Sequence, residues 1–149
     1  MSTTALYDVL YSFKDIHRVV LEFARELDED QLRWRPRGYS TSIGFHLWHL
    51  ARESDFLKAI ILERTPQLGA DFGEPVEIWA KDNLAQKWGF PTDLTATVGT
   101  GLSDELAAIL PIPPKDEMID YLKRSYAAIE GFIQLLDERY PTFDGLDEE

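Results

Sequence analysis

Ser42-Ile43-Gly44-Phe45-His46-Leu47-Trp48-His49-Leu50-Ala51-Arg52-Glu53-Ser54-Asp55 is the stretch on which the reading of this chain turns. With the residues that follow it to Arg64, it sets Ile43, Leu47, Leu50, Phe56, Leu57, Ile60 and Ile61 on a face that recurs at helical rather than strand spacing. Ser40, Thr41 or Ser42 can cap the start, because a side-chain oxygen there accepts an amide proton that the first helical turn leaves unpaired. Thr65-Pro66 ends it, since proline restricts the residue before it and brings no amide proton. The spacing predicts a helix over about 42–64, with His46, His49 and Glu53 along one of its sides.

Working outward, Leu6, Val9, Phe13, Ile16, Val20, Phe23 and Leu27 alternate steps of three and four and predict a helix over about 4–28. It runs into Asp28, Glu29 and Asp30, an acidic run that suits a solvated turn better than a helix carboxyl end. Arg33-Trp34-Arg35-Pro36-Arg37-Gly38-Tyr39 carries loop punctuation. From Thr65 to Pro114 the periodicity weakens and glycine and proline collect, which reads as a crossover containing two short helical pieces, about 76–88 and 103–110, the second capped by Ser103. Pro113-Pro114 before Lys115-Asp116-Glu117 is a good helix entrance, and Ile119, Leu122, Tyr126, Ile129, Ile133 and Leu136 face inward along about 115–139. A polar, acidic tail occupies about 140–149, expected to fray. The class is all-α. A bundle with so long a crossover ordinarily has four long helices, so the last one is short or missing here.

At 149 residues the chain is one domain, spanning 1–149. Its 27 acidic and 15 basic side chains give a formal charge of −12, which repels polyanions and argues against nucleic acid and anionic lipid as partners. There is no cysteine, so disulfides, thiolate ligands and a protein thiol nucleophile are excluded. The amino terminus reaches Asp8 without the basic start of a signal peptide, and no stretch approaches the roughly 20 apolar residues needed to span a bilayer. The cytoplasm is the expected compartment.

The three histidines, His17, His46 and His49, are the residues with chemistry to offer. Imidazoles at i and i+3 with a carboxylate four further on can hold zinc or nickel, and a catalytic site of that kind takes three protein ligands and leaves one position open. The plainer reading has His46 packed near the Trp48 layer and His49 donating to a neighbouring carbonyl. His17 sits at the edge of the first helix's apolar stripe, where a solvated or capped histidine is ordinary. Asp55 reads as a polar anchor to the neighbouring loop, the four tryptophans as core and crossover packing, and Arg33, Arg35 and Arg37 as a salt-bridging loop rather than an anion site.

The segment Ser42 to Asp55, with Leu32-Arg33-Trp34-Arg35-Pro36 before it and Trp79 to Gly89 after it, resembles the DinB-like superfamily over about residues 4–139. The resemblance implies a four-helix bundle of up-down-down-up order with a long crossover between the second and third helices, often a homodimer. It also implies one divalent metal, held by a histidine on the second helix and a His-x-x-x-His pair on the last. His49 matches the first of these ligands, but nothing after Leu136 matches the pair, since the rest of the chain has no histidine. His46 and His17 are the imidazoles left to replace it, and Glu53 and Asp55 the nearest carboxylates. Characterised members of the family include thiol-dependent transferases and isomerases. Three readings follow: a metal-dependent thiol transferase or hydrolase acting on a small molecule with His49 and His46 as ligands to zinc or nickel; a non-catalytic bundle that has lost the metal; or a piece of a longer protein whose last helix lies elsewhere. A bundle short of one helix would expose an apolar groove, and self-association, a homodimer, is expected to cover it.

Overall fold

The computed structural model describes residues 5–36 and 41–141. Helices account for its regular structure, and no strand occurs among the described residues. The predicted long helices form close to their expected bounds as α1 (Ala5–Glu26), α3 (Ile43–Arg64) and α8 (Lys115–Arg139). The Ser42 hydroxyl caps α3 by accepting from Phe45 N at 3.0 Å, while Ser40 lies outside the described residues. None of the helices is long and apolar enough to cross a membrane, among the described residues.

The acidic run after α1 is where the sequence reading needs its first correction. Asp28 is the N-cap of a short helix, α2 (Glu29–Arg33): its carboxylate accepts from Gln31 N at 2.7 Å while the Gln31 side chain accepts from Asp28 N at 2.9 Å. The acids that disfavour the end of one helix favour the start of the next, which is where the positive end of a helix dipole lies. Leu32 of α2 is buried against the start of α3, and the approach is close enough to require glycine there. A Cβ on Gly44 would fall 2.9 Å from Leu32 O and 2.6 Å from Ile112 Cγ2.

α8 is the spine of the molecule, packing along both α1 and α3, whereas α1 and α3 do not pack along each other. One cluster of core residues centres on Trp48, Trp79, Tyr121 and Leu122, and a second on Leu6, Leu10, Leu62, Phe132 and Leu136. The consequence for α1 is a second correction. Its buried line runs through Leu6, Leu10, His17 and Ala24, whereas Val9, Ile16 and Phe23 from the predicted apolar face are 43%, 56% and 48% exposed. The stripe is wide enough to cover two neighbours, and only α8 packs along it.

The crossover is built from short pieces: a 3-10 turn (Pro66–Leu68), α4 (Gly69–Phe72), α5 (Ile78–Lys81), α6 (Leu84–Lys87), a second 3-10 turn (Thr92–Leu94) and α7 (Asp104–Ile109). The helix expected over 76–88 is broken in two, because Asn83 takes a left-handed conformation (φ 51°, ψ 40°) that asparagine tolerates better than most residues. α7 and its cap follow the sequence reading, with Ser103 Oγ accepting from Leu106 N at 3.3 Å. Beyond α8, Tyr140 packs against the second core cluster and its hydroxyl donates to Asp71 Oδ2 at 3.2 Å. The remainder of the expected tail, residues 142–149, lies outside the described residues.

Candidate functional site

The helix α3 presents two chemically different flanks. Towards the crossover it buries Arg52 and Asp55, at 1% and 4% exposure. Asp55 accepts from three donors on two other elements, Ile78 N (2.9 Å) and Trp79 N (2.8 Å) of α5 and the Tyr121 hydroxyl (2.9 Å) of α8. The two amides are the unpaired donors at the start of α5, so the carboxylate caps a helix that lacks a cap of its own. Arg52 pairs with Glu77, donates from Nε to Thr97 O at 3.2 Å and lies 4.8 Å over the Trp79 ring. Burial, and next the neighbouring Asp55 carboxylate, push the Tyr121 phenol well above its ordinary range and keep it a donor. Asp55 is the loop anchor expected from the sequence; its partner Tyr121, and Glu77 as the partner of Arg52, went unrecognised, because nothing local in the sequence joins residues so far apart.

His46, His49 and Glu53 occupy another side of α3. His46 Nε2 lies 2.9 Å from Thr41 Oγ1, a bond confined to the helix entrance. His49 Nδ1 lies 2.6 Å from Val98 O, as the plainer reading anticipated, and 3.8 Å from Glu53 Oε1. Glu53 in turn accepts from the Thr100 hydroxyl at 2.5 Å. The loop that supplies Val98 and Thr100 rests directly on α3. Gly99 there has φ 101°, and a Cβ on it would sit 2.9 Å from both His49 Nδ1 and the Trp48 ring. No group of three or more histidine and carboxylate side chains in metal-binding arrangement occurs among the described residues.

His17 departs furthest from its expected surroundings. It is 6% exposed, its Nδ1 lies 2.6 Å from Glu130 Oε1, and its ring stacks on Tyr126 with centroids 3.7 Å apart. The missed signal is Glu130, next to inward-facing Ile129 on α8: a carboxylate at the edge of a buried stripe is a ready partner for a histidine at the edge of another. The arginine loop behaves as the sequence suggested. Arg33 pairs with Glu29 and donates to Ile112 O at 3.2 Å, and Arg35 donates to Ala108 O, while Arg37 lies outside the described residues. Trp48, Trp79 and Trp88 pack in the core and crossover as expected, but Trp34 is 60% exposed.

An all-helical bundle whose second long helix carries histidines, and whose crossover is tied to that helix by a buried arginine and aspartate, defines the class. The chain belongs to the DinB superfamily, whose family model matches residues 12–148. No curated protein matches it significantly.

Proposed function

We propose that this chain is a DinB-superfamily scaffold without a self-sufficient metal centre, the non-catalytic one of the readings that its sequence leaves open. The observation that carries this is the separate engagement of the three imidazoles: His17 with Glu130, His46 with Thr41, and His49 with Val98 O. A metal site of the family's kind needs three donors converging on one point, and the described residues offer His49 alone in a suitable pose. Metal content of the purified chain, measured by mass spectrometry beside a His49→Ala control, tests the reading. Metal far below one ion per chain in both agrees with it. Near-stoichiometric zinc or nickel that disappears in the control overturns it.

One observation favours the metalloenzyme reading, with His49 and His46 as ligands and a small-molecule substrate. A metal-bound imidazole characteristically donates its other N–H to a carbonyl or carboxylate, and His49 Nδ1 meets Val98 O in that way, leaving Nε2 for a ligand's role. A homodimer belongs to either reading, formed over the open side of the bundle where Val9, Ile16, Phe23 and Leu50 stand exposed. Sedimentation that finds a monomer throughout the micromolar range counts against it.

A further inference from the structure

Between α1 and α3, above the spine of α8, lies a cavity of about 250 Å³ lined mostly by Phe13, Ile16, His17, Leu50, Leu57 and Tyr126. Its walls are apolar, with Glu53 and Ser54 on the α3 flank. An apolar cavity of roughly 150 Å³ is already enough for a benzene ring, so one substituted ring fits. The depth is chemically graded: Ile16 and Leu50 form an exposed rim, whereas His17 and Tyr126 are buried at 6% and 3% exposure.

The imidazole at the bottom is held in one orientation by two independent contacts, the Glu130 carboxylate at Nδ1 and the Tyr126 ring against its face. With Nδ1–H donated to Glu130, the neutral ring has one group left, the lone pair of Nε2, for which no hydrogen bond to another described residue is found. A hydrogen-bonding atom in a mostly apolar wall favours a ligand that brings an answering group. If the ring is protonated instead, the same atom becomes a donor. A hydroxyl answers both states, since it both donates and accepts. A carboxylate does not suit the place, because Glu53 and Glu130 flank it. Nor does an ammonium, because Glu130 is engaged by His17 and Glu53 by Thr100.

We infer that this cavity is a binding site for a small uncharged molecule with an apolar body and one hydroxyl, such as a simple phenol, its hydroxyl bonded to His17 Nε2. This site is centred on His17 and shares Glu53 with the His49 end of α3, and the proposal does not depend on whether a metal binds at His49.

The experiment is a titration of the full chain with 4-methylphenol, read by NMR at the histidine ring nitrogens and the Ile and Leu methyls. Toluene, with the same body and no hydroxyl, and 4-methylbenzoate serve as comparisons. Saturable binding that moves the His17 Nε2 resonance and the methyls of Ile16, Leu50 and Leu57 is expected, with toluene about five- to tenfold weaker, the worth of one hydrogen bond, and the benzoate weaker still. His17→Phe keeps the ring stack and removes the acceptor, so it should erase the advantage of the phenol over toluene. Leu50→Trp, at the rim, should block both ligands without touching the His17–Glu130 pair, and supplies the test if His17→Phe does not fold. Equal affinity for 4-methylphenol and toluene, shifts centred on His49, or no saturable binding up to the solubility of the phenol would each overturn the proposal.

Discussion

The two flanks of α3 solve the same problem differently. On the crossover side, buried charges are answered by partners drawn from distant parts of the chain, with Asp55 joining α3, α5 and α8 through three hydrogen bonds. On the side towards α1, apolar side chains stand exposed and the buried imidazole of His17 borrows its partner from α8. A buried charge must be satisfied where it stands or the fold fails, whereas an exposed leucine or isoleucine costs little and stays available to something else. One flank therefore carries the stability of the fold, and the other is free to carry a function.

Breaking that contrast should be easiest at Asp55. Replacing it by alanine strands the α5 amides and the Tyr121 hydroxyl and removes a counter-charge from Arg52, so a loss of about 3–5 kcal/mol is expected in denaturant unfolding. A loss under about 1 kcal/mol would mean the crossover is not held as described. Gly99→Ala comes next: a side chain at φ 101° facing His49 and Trp48 should cost about 1–3 kcal/mol and move the His49 ring resonances, linking the loop to that imidazole. On the open flank, His17→Phe should cost no more than about 1.5 kcal/mol, because the stack persists and Glu130, at 23% side-chain exposure, can turn to water. Phe23→Ser, further out, should leave monomer stability within about 0.5 kcal/mol while weakening self-association in sedimentation. Losses on the open flank as large as that at Asp55 would erase the distinction.

Much of this was legible in the sequence, and the exceptions share a cause. α3 and α8 could be read from periodicity and end signals because caps, prolines and apolar spacing act within a few residues of one another. The role of Asp55 as a loop anchor and the bond from His49 to a carbonyl were legible as types of interaction, though not their partners at Ile78, Trp79 and Val98. The burial of His17 was not, because an apolar stripe as wide as that of α1 does not say which half meets a neighbour. Asp28 was misread because the same acids have opposite meanings at the two ends of a helix. The candidate site was legible only in its residue types: the sequence names the histidines, and the geometry separates them.

The tryptophans packed around the crossover make its attachment visible. Trp79 lies 6.0 Å from Trp48 and 5.7 Å from Trp88, with the Arg52 guanidinium over its ring, while Trp34 stands in water. Indoles this close exchange excitation, and a neighbouring cation and buried surroundings shape their emission. Light from this cluster gauges whether the crossover is docked, and Trp34 supplies a steady background. The protein thus carries an internal optical probe by which partial opening of one flank can be followed while the helical signal of the bundle stays unchanged.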